Sequence, residues 1–418
     1  MSARGVAHTV LGRVFDEGAY TDRAFRAEAD RAGLDQRDRA FAQQLAYGAV
    51  QRRATLDHLI TKLSSRPPKK LDPGVRDALR LGLFQLFYLD GVAEHAAVSE
   101  SVELAKRNTR GGDRLVNAVL RRAQREGRKL LDGLSDDTPQ HAAVKHSHPD
   151  WLVRMWWDEL GPDETRALLA RDNEPPESSV RVNTLKAEGL SLGVPSHPAP
   201  GLPEGLVLDA QLDVHGTAEF ERGELMPQSR ASMHVARVLD PQPGERVLDM
   251  CAAPGAKTTH IAALMGGSGE VVAVEAHRGR ARALRENAQR LGAGNVRVVV
   301  GDAADPVGGE FDRVLLDPPC SDLGTLQARP DVRWRKDPAL IERVAEQQAT
   351  LLEAAAKQVR PGGVLVYSTC TISARENEGQ MRAFVESHPE FRLSDERRLL
   401  PHRDGTDGFF IARLERSA

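Results

Sequence analysis

The sequence predicts an α/β protein whose C-terminal part is a doubly wound parallel sheet, preceded by an all-helical region and a small α+β segment. From about residue 236 onward, short apolar runs alternate with helical patterns, which predicts parallel strands joined by crossover helices. Before residue 130, apolar positions recur at helical spacing, as in Leu79, Leu83 and Leu86 and in Val98, Val102 and Ala105, with no competing strand alternation. Between these parts, the helical run WLVRMWWDEL leads into Arg181-Val182-Asn183 and the Pro/Gly-rich stretch PSHPAPGLPEG. The expected division is therefore an all-helical domain at 1–135, a linker at 136–149, a small α+β subdomain at 150–235 and the sheet domain at 236–418. The linker is read from the polar, weakly periodic stretch LDGLSDDTPQHAAVKHSHP. In the last domain the strands are expected at ERVLDM, EVVAVE, VRVVVGD, DRVLLD and GVLVYST. A helix precedes the fifth, with Asp337 as N-cap and Pro338 in its first turn, and Arg360-Pro361-Gly362-Gly363 ends it.

A chain of 418 residues is long enough for two or three domains. With 28% charged and 40% hydrophobic residues it has the composition of a soluble globular protein, and it contains no run of about 18 apolar residues that would span a membrane. The N-terminus lacks the continuous apolar core of a secretory signal. Three cysteines do not make a disulfide framework and suit a reducing cytoplasm. No Cys/His cluster has zinc spacing, and His146 and His148 lack a nearby cysteine, so no metal is expected. The net charge of -3 hides an asymmetry: residues 1–130 carry +8 and the remainder -11. The excess is concentrated in Lys106, Arg107, Arg110, Arg114, Arg121, Arg122, Arg125, Arg128 and Lys129, opposed only by Asp113 and Glu126. Such a run is either a solvated helix face or the footprint of a nucleic-acid partner.

Each cysteine follows a strand-like run, and in an open parallel sheet ligands bind at the carboxyl ends of the strands. A free cysteine also packs as a small hydrophobe, so position alone leaves both readings open. Cys251 lies in the turn Cys251-Ala252-Ala253-Pro254-Gly255-Ala256-Lys257, which opens a helix and lets backbone amides approach a ligand. The turn is neither a P-loop, because Cys251 replaces the first glycine and Ala256 separates Gly255 from Lys257, nor a GxGxxG dinucleotide fingerprint. Glu275 ends the second strand and Asp302 the third, forming an acidic rim suited to ribose hydroxyls. A cofactor without phosphate, such as S-adenosylmethionine, fits that rim.

Asp317-Pro318-Pro319-Cys320 places a thiol where amino-directed nucleic-acid methyltransferases carry a base-stacking aromatic. Methylating carbon 5 of a pyrimidine requires a nucleophile on carbon 6, which a cysteine supplies. With DMCAAPGAKT, LLDPPCS, PDVRW, GGVLVYSTCT and Arg375-Glu376-Asn377-Glu378, the chain resembles the RNA cytosine-5 methyltransferases, and within them the bacterial enzymes of small-subunit ribosomal RNA. The resemblance covers nearly the whole chain. EHAAVSESVELAK and RLVNAVLRR look like an RNA-binding domain related to NusB, and DGFFIARL is similar to the family's closing strand.

The resemblance implies a Rossmann-like class I methyltransferase domain using S-adenosylmethionine, and a ribosomal RNA substrate. It makes Cys370 the nucleophile and gives Cys320 the final elimination. Asp317 would contact cofactor and base and support protonation at ring nitrogen 3. The turn from Cys251 to Lys257, with Glu275, Arg280, Asp302 and Asp317, would hold the cofactor. Three positions depart from the family pattern: Ala256 replaces a glycine, Glu275 an aspartate, and Gln228-Ser229 stands where Gln-Asp is common. Ser373 to Glu376 also matches a capping box, which would make Glu376 a helix cap and leaves Asn377 open. The expectation is a cytoplasmic, monomeric enzyme that methylates carbon 5 of a cytosine in 16S ribosomal RNA through a covalent cysteine adduct. The rivals are a related enzyme acting on transfer RNA or another ribosomal site, and a non-catalytic RNA-binding assembly factor.

Overall fold

The structure is a computed structural model that describes residues 1–108, 111–305 and 307–418. It divides into two compact units, the first made of Met1–Glu174 with Leu326–Lys336 and the second of Pro175–Thr325 with Asp337–Ala418. No helix among the described residues is long and apolar enough to cross a membrane.

The first unit is helical, as its periodicity predicts. Helices Ala3–Phe15, Gln36–Gln51, Pro73–Tyr88, Glu94–Asn108 and Gly112–Arg122 contribute to a core that includes Val10, Leu11, Leu45, Leu79, Leu83, Val98 and Leu120. Gly48 is required there, because a Cβ would lie 1.9 Å from the Phe84 ring. The basic run lies partly on this unit: Lys106, Arg107, Arg114, Arg121, Arg125, Arg128 and Lys129 are exposed. Arg122 instead donates to the Leu63 carbonyl at 3.0 Å and to Glu126 at 2.9 Å, while Arg110 lies outside the described residues.

The stretch expected to be a linker is structured. Thr138 caps a helix at Pro139–Lys145 that buries Ala142 and Ala143, and the Thr55 hydroxyl donates to the Val144 carbonyl at 2.6 Å. A seven-residue helix shows too little periodicity to stand out in sequence, and tertiary contacts decide its state. The segment carrying PDVRW also departs from a contiguous 236–418 domain, since Leu326–Lys336 packs within the first unit. There the fully buried Arg333 donates to the carbonyls of Ser147 and Asp172 at 3.1 Å, and Trp334 Nε1 donates to the Val50 carbonyl at 2.8 Å. The helices Asp150–Leu160 and Pro162–Arg171 likewise belong to the first unit.

The second unit holds two sheets. Strands β1 (Ser178–Val182), β2 (Ser196–Pro198), β3 (Gly205–Leu208) and β4 (Leu225–Pro227) form an antiparallel sheet in the order β2-β3-β1-β4. The larger sheet contains β5 (Arg246–Asp249), β6 (Glu270–Glu275), β7 (Val296–Val300), β8 (Phe311–Leu316), β9 (Val359–Thr369), β10 (Phe391–Leu399) and β11 (Phe409–Arg416). Its order is β10-β11-β9-β8-β5-β6-β7, and β5 to β9 run parallel while β11 is antiparallel to both neighbours. Alternate residues bury opposite faces. Leu248, Val272, Val314 and Leu365 meet helices Pro338–Gln358 and Glu378–Ser387 on one side, whereas Val247, Val271, Leu315 and Val366 meet Arg230–Leu239 and Ala256–Leu264 on the other. The strand order reverses between β5 and β8, and the crevice outside their carboxyl ends is where such sheets bind ligands.

Candidate active site

β5 delivers Asp249 to that crevice. Its Oδ2 accepts from the Thr258 hydroxyl at 2.7 Å, while the buried Oδ1 has no hydrogen-bond partner among the described residues. Burial, first of all, pushes the Asp249 carboxyl up to about 7, and nearby Asp317 adds to the effect. The turn that follows needs Gly255 at φ +104, where a Cβ would also meet Leu284 at 2.5 Å. Ala256 is the first residue of its helix and is not among the positive-φ residues, so its methyl replaces a glycine without strain. Carbonyls of the turn are held from outside: Arg280 donates to Ala253 at 2.7 Å and Asn287 to Pro254 at 2.9 Å.

Glu275 is buried at the end of β6 and accepts from the His277 N–H at 2.9 Å, with Arg280 3.5 Å away. Asp302 is exposed just past β7, one oxygen taking the Ala304 N–H at 2.9 Å. Gln228 is not on this rim: it accepts from buried Arg181 at 2.8 Å, while Ser229 caps helix Arg230–Leu239.

Past β8 and β9 the chain brings two of the three cysteines together. Cys320 Sγ and Cys370 Sγ are 3.4 Å apart, and Cys370 Sγ donates to Asp322 Oδ1 at 3.4 Å. The neighbouring Cys320 sulfur and burial push the Cys370 thiol well above its ordinary value, with the Asp322 and Asp317 carboxylates adding to the shift. Cys251 stays with the turn after β5, where burial raises its thiol too. Next to the pair, Lys257 Nζ bonds Asp317 Oδ2 at 2.8 Å and the Ser368 hydroxyl donates to Oδ1 at 2.7 Å. Burial works against the charge on Lys257, but Asp317 outweighs it and the pKa rises. The closing strand β11 contributes Phe409, whose ring centroid is 5.3 Å from Lys257 Nζ.

The pair is positioned by a buried clamp that local sequence pattern misreads. Glu376 is not a helix cap: the next helix begins at Glu378, and the Ser373 hydroxyl has no partner among the described residues. Its carboxylate reaches across to the other cysteine loop, accepting from the Ser321 N–H at 2.9 Å, the Ser321 hydroxyl and Gln348 Nε2 at 3.1 Å. Asn377 accepts from the Thr369 hydroxyl at 2.6 Å and donates to the Thr371 carbonyl at 3.0 Å, fixing the backbone on either side of Cys370. Gly324 donates to the Cys370 carbonyl at 3.0 Å, and a Cβ there would lie 1.9 Å from the Gly408 carbonyl oxygen. Sequence reasoning missed Asp249 as a site residue, although it opens the motif, and Asp322, whose local signal is no more than a short polar residue two positions before Gly324.

Comparison with known proteins agrees with this architecture. Family models match residues 236–415 (16S rRNA methyltransferase RsmB/F), 1–125 (NusB family) and 148–215 (RsmF/B-like ferredoxin-like domain). A Synechocystis protein named probable ribosomal RNA small subunit methyltransferase B is 38% identical, with 100% of both chains covered. The chain belongs to the ribosomal RNA small subunit methyltransferase B family. A Thermus thermophilus member is 39% identical over 94% of this chain and 92% of its own. Among solved structures, PH0851 superimposes with a TM-score of 0.82 at 28% identity, covering 100% of this chain and 99% of that one. NSun6 from Pyrococcus horikoshii, solved with SFG, gives a TM-score of 0.58 at 27% identity over 63% of this chain and 97% of that one.

Proposed function

We propose that this family member methylates carbon 5 of a cytosine in 16S ribosomal RNA, using S-adenosylmethionine and a covalent adduct through Cys370. The observation that carries the reading is the pair of thiols 3.4 Å apart beyond β8 and β9, because binding RNA alone requires neither. The residues at the β5 turn fit the cofactor: Asp249 offers a buried oxygen without a partner among the described residues, and Glu275 and Asp302 offer carboxylates. The SFG found with the Pyrococcus horikoshii relative is an analogue of that cofactor. When bound, S-adenosylmethionine supplies the methyl group.

A thiol is mostly protonated at neutral pH, so Cys370 must give up its proton to attack, and Asp322 Oδ1 at 3.4 Å is the acceptor in place. The new sulfur–carbon 6 bond makes carbon 5 nucleophilic, while Asp317, paired with Lys257, supports protonation at ring nitrogen 3. After carbon 5 is methylated, Cys320, once its own thiol proton has passed to solvent, takes the carbon 5 proton as the Cys370–carbon 6 bond breaks and ring nitrogen 3 gives back its proton, which restores the aromatic ring. The exposed basic residues of the first unit would grip the RNA backbone, and the target base, if stacked, must be extruded.

The test is a denaturing gel with labelled RNA and cofactor. Cys320→Ala should trap a band that survives SDS, whereas Cys370→Ala and the double variant should show none. A band with Cys370→Ala would exchange the two roles. Full turnover by both single variants would refute thiol catalysis. Bisulfite sequencing of ribosomal and transfer RNA from a deletion strain identifies the methylated base.

A further inference from the structure

We propose that Cys320, Cys370 and Asp322 also form a binding site for Zn2+ or a similar thiophilic divalent ion, whose occupation switches the enzyme off. The two sulfurs and one Asp322 oxygen all lie within 4.8 Å of one another. The separations are 3.4 Å between sulfurs, and 3.4 Å and 4.0 Å from Asp322 Oδ1 to Cys370 and Cys320. Tetrahedral zinc, with bonds of about 2.3 Å to sulfur and about 2.1 Å to oxygen, holds its sulfurs about 3.8 Å apart and sulfur and oxygen about 3.6 Å apart. Each observed separation lies within about 0.4 Å of that figure. The three groups form one face of a tetrahedron, and the fourth position faces away from them and takes water.

The framework holds this geometry before any ion arrives. Asp322 sits at φ +59, a left-handed conformation that aspartate tolerates better than most residues. Its carbonyl accepts from the Thr325 N–H at 3.1 Å and hydroxyl at 2.9 Å, which fixes the turn. The Ser321–Glu376 and Gly324–Cys370 hydrogen bonds join the two cysteine loops. Little ordering entropy therefore opposes binding. Two thiolates and a carboxylate select zinc, cobalt or copper over magnesium and calcium, which prefer all-oxygen shells. The step balances simply: the metal binds both sulfurs, and the two thiol protons pass to solvent. No oxidant is needed. The sequence hides the site because 48 residues separate Asp322 from Cys370.

A metal holding both sulfurs leaves Cys370 unable to attack a base, so the inhibitory part rests on the proposed function. Binding itself is read without turnover. The full chain, kept reduced with a phosphine, is titrated with Co2+ and the thiolate-to-cobalt charge-transfer and tetrahedral visible bands are followed. One Co2+ per chain should bind, Zn2+ should displace it, and Mg2+ should not. Cys320→Ser and Cys370→Ser should lose the bands, Asp322→Asn should weaken binding at least about tenfold, and Cys251→Ala should leave the titration unchanged. Thermal melts check that each variant is folded. Bands that survive Cys370→Ser, vanish with Cys251→Ala or never form would overturn the site. Stoichiometric Zn2+ should also abolish methyl transfer in the wild type, and persistence of that activity with the metal bound would overturn the switch. If the RNA product proves not to be 5-methylcytosine, the cobalt titration still stands on its own.

Discussion

Glu376 is the residue whose replacement should separate architecture from chemistry. Its carboxylate is fully buried, and burial raises its pKa despite the hydrogen bonds it accepts. Glu376→Ala removes four heavy atoms and leaves the buried Ser321 N–H without its acceptor. The Ser321 and Thr371 hydroxyls can still bond each other and Gln348 keeps the Pro319 carbonyl at 3.0 Å, so the one backbone donor orphaned outright is the Ser321 N–H, while one hydroxyl hydrogen of the pair also loses its acceptor. An orphaned buried donor costs about 1–3 kcal/mol, and a small cavity adds about 1–2 kcal/mol. The expected destabilisation is therefore about 2–5 kcal/mol. Glu376→Gln should be far milder. An amide oxygen in the Oε2 position still accepts from the Ser321 N–H and Gln348, and the amide nitrogen can donate to the Ser321 and Thr371 hydroxyls, which rotate to accept. Urea unfolding and methyl-transfer kinetics should show Glu376→Ala lowering both stability and kcat, with cofactor affinity unchanged, and Glu376→Gln close to wild type. If the alanine variant unfolds within about 0.5 kcal/mol of wild type, a margin typical of neutral surface changes, and keeps its kcat, the clamp does not hold the cysteine loops.

Two other tests address the turn after β5 and the exposed basic run of the first unit. Asp249, raised to about 7, has its folded-state pKa above the unfolded value of about 3.9. Its contribution to stability is thus full below about pH 4 and lost as pH rises through about 7, at most about 4 kcal/mol across the window. Chemical unfolding of the cofactor-free protein between pH 4 and 8 should show that loss, and Asp249→Asn should flatten it; identical slopes would mean Asp249 ionises normally. On the first unit, reversing exposed Arg121, Arg125 and Lys129 to Glu should weaken RNA binding and reduce its salt dependence by about 0.7–0.9 for each phosphate that is no longer neutralised. Arg122 is left in place because it bonds the Leu63 carbonyl. An unchanged salt slope would reduce the run to a solvated face.

What was legible in the sequence was what short-range pattern encodes. The five parallel strands, the Asp337 cap and the turn after β5 each depend on residues within a few positions, and each is found where its pattern lies. Cys320 and Cys370 were legible as strand-end residues and through family resemblance, yet neither signal shows that their sulfurs meet. That meeting depends on Ser321 and Glu376, 55 residues apart, and on Gly324 lying against Gly408. Glu376 illustrates the failure well. Ser373-x-x-Glu376 is a sound local signal for a cap, but a buried carboxylate takes whichever donors the tertiary structure offers, and here those lie on the Ser321 loop. Residues 326–336 teach the same lesson at larger scale. Arg333 and Trp334 look like any motif of the sheet domain until their donors are traced to the carbonyls of Ser147, Asp172 and Val50 in the helical unit. A fully buried guanidinium is tolerable only where fixed acceptors satisfy it. Apart from the Leu326 carbonyl at 3.3 Å, the acceptors around Arg333 come from segments more than 150 residues away, so its own neighbourhood could not have placed it.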